Sequence, residues 1–246
     1  MLQWIRELFL PPPVCPVKED DRAWVDYRFA WLIDEFGPGC LRRNATVLPT
    51  MQFFPECYHA TEKEVHNLLI IVAKQMEVDP DCLWLSFFDD TPRDVHSEQW
   101  IAPNSLCHEI EEGGYYRIEV NRSGLNDPLW VVSTLAHEIS FVRLLGEQRT
   151  SPYEADLDSL KELLTIVQGL GVCNSSSVFP QARWVNGGWS MPRTAHLSMD
   201  MYGYALGLYA LARGEKRPTW LKYLRPDVRF ACTNTIRLKL QEQQVA

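Results

Sequence analysis

The segment that most constrains how this chain can fold is 127–145. Asp127 is placed to cap a helix, Pro128 suits its first turn, and Gly146 is placed to end it. A second helix is expected over about 152–170, where Leu157, Leu160, Leu164 and Val167 form one apolar stripe. Further helices are expected over Glu19–Phe36, stopped by Gly37-Pro38-Gly39, and after Thr61, whose spacing to Glu64 makes a capping box ahead of Val65, Leu68 and Leu69. Two more are expected over about 197–213 and 227–243. Only two strands are expected: 82–88, read as buried and closed by Asp89-Asp90-Thr91-Pro92, and 115–120, entered through Gly113-Gly114. No repeat, low-complexity tract or clear linker interrupts the 246 residues. The chain therefore reads as one α+β domain over 1–246, helix-dominated with a small sheet in the first half.

Composition narrows the function classes. A net charge of −8 and the lack of any Lys/Arg run argue against nucleic-acid binding, which depends on phosphate neutralisation. The uninterrupted apolar runs are short, so no membrane span is expected. The opening residues lack a signal peptide's basic start and cleavage site, so a cytoplasmic location is expected. Seven scattered cysteines, never spaced as CxxC, suggest reduced thiols rather than a disulfide framework. The stretch 174–193 reads as a long loop carrying Phe179, Trp184 and Trp189, and a loop of that length is a candidate binding surface.

The chemistry sits in the middle of the strongest helix, at His137-Glu138-Ile139-Ser140-Phe141. In HExxH, two histidines one turn apart bind zinc and the intervening glutamate acts as general base. Here Phe141 stands in place of the second histidine. Sixteen residues intervene between it and Asp158, and Glu162 follows four positions further on.

In these residues the chain resembles the zincins, specifically the gluzincin branch, in which a second helix supplies a Glu ligand followed one turn later by an Asp that orients a zinc-bound histidine. Here the two acids are exchanged. The run from Thr134 to Gly146, with Leu163 to Gly171 and Gly203 to Leu206, is also similar to uncharacterised bacterial proteins that keep an intact HExxH. The resemblance implies a minimal zincin-like domain, with His137 and Asp158 as metal positions and Glu162 behind them. It further implies Glu138 as general base if the site is active, and the strand 115–120 as the edge along which peptide substrates lie.

With two ligands carried over, the expectation is a catalytically impaired metallopeptidase relative that keeps its cleft for a protein or peptide partner and holds no resident cofactor. Phe141 is expected to fill the former metal space. One alternative is an active zinc-dependent hydrolase with a non-standard ligand set, His196 supplying the missing donor. The other is an interaction protein that uses the aromatic loop 179–189. Cys57-x-His59 and Cys107-His108-Glu109 are weaker metal or thiol candidates. Asp89, Asp90 and Asp94 lack a calcium loop's glycine, and Glu109, Glu111 and Glu112 read as solvated surface.

Overall fold

The computed structural model describes residues 12–54, 57–89, 105–111, 114–177 and 196–245. Helix α1 (Glu19–Phe36) buries Val25, Phe29, Leu32 and Phe36 and stops where Gly37 takes φ of +77°. Helix α2 (Glu62–Gln75) begins with the expected reciprocal box. The Thr61 hydroxyl accepts from the Glu64 amide, and the Glu64 carboxylate accepts from the Thr61 amide. Its buried face is Val65, Leu68, Leu69, Val72 and Ala73.

Three strands form one mixed sheet in the order β1-β3-β2: β1 (Leu83–Phe88) runs parallel to β3 (Tyr115–Asn121), and β2 (Ser105–Glu111) runs antiparallel to it. Tyr116, Ile118 and Val120 of β3 alternate into the core. Two expectations are corrected here. Strand β1 lies at an edge, with Trp84 64% exposed, and so is not a buried central strand. Strand β2 is absent from the expected elements, because its acidic residues mask an alternation in which Cys107 pairs with Ile118 across the inward face. The edge role assigned to 115–120 also moves. Strand β3 is central, and β2 is the edge strand in contact with the motif helix.

The motif helix α3 (Pro128–Phe141) is capped by Asp127, whose side chain accepts from the Leu129 and Trp130 amides. It widens into a π-helical turn over Val142–Gly146. Every residue from Trp130 to Ser140 is buried. By length and composition alone Pro128–Gly146 is apolar enough to cross a membrane, which the short apolar runs do not suggest, but 78% of its most apolar 18-residue window is buried inside the protein, which accounts for its apolar character.

Helix α4 (Leu157–Val167) is shorter than the expected 152–170. Arg28 of α1 binds the carboxylates of Glu154 and Asp156, and Trp24 Nε1 donates to Asp156 at 2.6 Å, so the chain before Leu157 is held in turns. At the other end Gly169, at φ +85°, takes the chain out of the helix. Helix α5 (Gly171–Ser177) occupies the start of what reads as a loop. Phe179, Trp184 and Trp189 lie outside the described residues. Helices α6 (Met199–Ala212) and α7 (Pro226–Val245) complete the chain and pack on one another.

Two apolar clusters result. One joins α1, α4, α6 and α7; the other joins α2, the sheet and α3. Helices α3 and α4 meet at their junction, and this contact positions the site. The architecture is α+β, helix-dominated, with its small sheet in the first half. All seven cysteines are free thiols.

Candidate metal centre

His137 projects from the middle of α3 and is 9% exposed. Asp158 lies in the first turn of α4 with its side chain 54% exposed. The Nε2 of His137 is 3.7 Å from Asp158 Oδ1. An exposed third group, His196, arrives from the lead-in to α6. Its ring lies 5.8 Å from that of His137, centre to centre, at an interplanar angle of 13°. One donor atom from each of His137, Asp158 and His196 lies within 4.8 Å of the other two.

Glu162, one turn beyond Asp158 and fully buried, explains how a residue so distant in sequence reaches this point. Its Oε2 accepts from the backbone amides of His196 at 3.2 Å and Leu197 at 2.9 Å. Leu197 is itself buried in the helical core, so the lead-in is pinned by one charge-assisted clamp and one apolar anchor. The exchanged acid therefore acts on the backbone that carries the third donor.

Electrostatics keep Asp158 ionised. Its carboxyl is held well below the usual carboxylate range, first by its partnership with the His137 imidazole and then by the Lys161 ammonium, against the opposing effect of desolvation. Lys161 Nζ stands 3.0 Å from Asp158 Oδ1. On the sheet side, Glu138 is 5% exposed and accepts from the Ser105 hydroxyl of β2 at 2.6 Å. Burial pushes the nearby Cys107 thiol up, the Glu138 charge adds to the effect, and Lys161 opposes it.

The donor set suits zinc. Two imidazoles and one carboxylate are ligands that catalytic zinc accepts with a fourth position open. Filled tetrahedral sites place donors about 3–3.5 Å apart. Closing from the present separations requires rotation of Asp158 and His196, and both are exposed enough to turn. Phe141, where the motif would have its second histidine, is half-buried and packs on the sheet-side cluster.

The weaker candidates dissolve into local structure. His59 Nδ1 bonds Glu64 of the capping box. Cys107 and His108 are neighbours on a strand and so face opposite sides of the sheet. Asp89 pairs with Arg122, while Asp90, Asp94 and Glu112 lie outside the described residues. Two residues at the site escape a reading of the sequence. Lys161 is legible there only as a charge three positions after Asp158, and Ser105 carries no motif signal. No family model, no curated protein and no solved structure matches the chain.

Proposed function

We propose that this chain is a metal-dependent hydrolase of the zincin kind that takes its third ligand from outside the motif helix. The observation that carries the reading is the convergence of His137, Asp158 and His196, from three separate segments, to within 4.8 Å. An acid from α4 and a second imidazole from the lead-in to α6 converge on the His-Glu pair of the motif helix. Zinc held by these three residues supplies Lewis acidity. Glu138 adjoins His137 on the next face of the helix, and its orientation is fixed by Ser105. As general base it accepts a proton from the attacking water and passes it to the leaving group.

A second reading is a degenerate relative that keeps the cleft for a protein or peptide without turnover. It draws on Phe141 in the second histidine's position and on the Lys161 ion pair at Asp158. Zinc titration against a competing chelator tests the first reading. The expected result is about one equivalent bound, with affinity lowered at least about tenfold by His137→Ala and by His196→Ala. Glu138→Gln should retain the zinc and lose cleavage of a peptide library. Uptake far below one equivalent, or uptake indifferent to either histidine, overturns the metal site. Zinc binding without any Glu138-dependent cleavage selects the second reading.

A further inference from the structure

We propose that the outer face of the three-stranded sheet is a self-association surface whose partner is a second copy of this chain. The proposal does not rest on the metal reading above.

Helices α2 and α3 pack on one face of the sheet, where Leu83, Tyr116, Ile118 and Val120 are buried with them. Strand alternation turns Trp84, Leu106, Tyr115, Arg117 and Glu119 to the opposite face. Three of these are large apolar side chains standing in solvent: Trp84 at 64% exposure, Tyr115 at 58% and Leu106 at 48%. Isolated exposed apolar residues are ordinary, whereas several on one regular face mark an interaction surface. Trp, Tyr and Arg are also the residue types enriched at the centres of protein interfaces.

The charges on this face identify the occupant. Arg117 and Glu119 are two positions apart on the central strand, and neither makes an ion pair among the described residues. The Arg117 guanidinium is instead held 5.9 Å from the centre of the Trp84 ring, and its Nε is buried with no hydrogen-bond partner. One unmet cation beside one unmet anion is self-complementary. A two-fold axis lying between two such faces, and crossing β3 midway between positions 117 and 119, sets each arginine opposite the partner's Glu119, and does so twice. The two sheets then pack face to face, about 10 Å apart, with their central strands antiparallel. A uniformly acidic or basic partner would meet one of the two residues with a like charge, so a second copy fits this face better. Strands of six and seven residues, about 4.8 Å apart, span roughly 14 by 22 Å, which is small for a permanent interface. The expected dimer is therefore reversible, with a Kd in the micromolar range.

The test is analytical sedimentation of the full chain from about 1 to 100 μM, with circular dichroism to verify the fold of each variant. The wild type should show a monomer–dimer equilibrium. Arg117→Glu and Glu119→Arg should each raise Kd at least about a hundredfold, because each sets like charges together at both contacts. An equimolar mixture of the two variants should dimerise again, since every contact then pairs opposite charges, and so should the chain carrying both substitutions. Leu106→Glu, at an exposed position of the same patch, is the second test should the charge variants not fold, and it should sediment as a monomer. A wild type that stays monomeric over the whole range overturns the proposal. A dimer that survives the charge reversals or Leu106→Glu places the contact elsewhere and overturns it equally. So does a loss of association that mixing the two folded variants fails to rescue.

Discussion

Glu162 and His196 are 34 residues apart in sequence, yet the carboxylate of one accepts the backbone amide of the other at 3.2 Å. The same oxygen takes the Leu197 amide, so one buried side chain fixes the start of α6 and the direction of the third donor. Glu162→Gln keeps the shape and removes the charge. It should lower zinc affinity by about 10–100-fold and cost about 1.5–3 kcal/mol of stability, the range for a hydrogen bond to a charged group. Glu162→Asp should do at least as much harm, because the shorter side chain withdraws from both amides. Placing the shorter acid at position 162 is therefore expected to weaken this site. Chelator competition and denaturant unfolding measure the two effects.

Phe141 is half-buried and packs against the sheet-side cluster. Complete burial of a large aromatic would make truncation cost about 3–5 kcal/mol, so Phe141→Ala should cost about 2 kcal/mol. Phe141→His places an imidazole one helical turn from His137, on the same face. Zinc affinity should rise by at least about tenfold if a fourth donor completes a closed site. A measured loss of about 4 kcal/mol or more on truncation would mean that the ring is a core element. Unchanged zinc affinity in the histidine variant would mean that the side chain points away from the metal position.

The elements readable in the sequence are those whose signals are local. Thr61 with Glu64, and Asp127 ahead of Pro128, satisfy backbone amides within a turn of themselves. The start of α4 is not readable, because the group that holds its preceding turns, Arg28, is 128 residues away from Asp156. Strand β2 is hidden because Glu109 and Glu111 look like solvated surface until β3 is laid beside them. At the site, His137, Asp158 and Glu162 are picked out by the resemblance to the gluzincin pattern. The convergence of His196 is not readable, since it depends on how far Glu162 reaches across the fold.

Glu64 gives a pH test of the α2 cap. Its carboxyl is lowered from the ordinary value of 4.5 to about 2, chiefly by hydrogen bonds from the Thr61 amide and hydroxyl, with His59 adding to them. Because the folded value is the lower one, the cap's contribution is fully present above about pH 4.5 and is lost as pH falls through that window towards 2. Glu64→Gln should remove this part of the acid dependence, leaving the variant's stability flatter between about pH 5 and 2. Unfolding midpoints for both proteins across that range check it; curves that stay parallel would show that the cap is not formed in solution.

Gly203 lies where α6 packs closely on α7, and α6 follows directly on the segment that carries His196. A Cβ at Gly203 would collide with the Ala231 side chain and lie 2.7 Å from the Val228 carbonyl oxygen. The second obstacle is backbone, so no rotamer change relieves it and α6 must move. On its own, alanine is the better helix former by about 0.5–1 kcal/mol. Overpacking costs about 1–3 kcal/mol and is expected to win. Gly203→Ala should therefore destabilise the protein by about 1–2 kcal/mol and also weaken zinc binding, because a shift of α6 moves the lead-in that Glu162 holds. Gly39→Ala is the control, since nothing lies within 4 Å of its added Cβ and its backbone is in the ordinary helical region. It should leave zinc affinity unchanged. A Gly203→Ala protein that is destabilised but binds zinc as the parent does would show that His196 is positioned by the Glu162 clamp alone, independently of the α6–α7 contact.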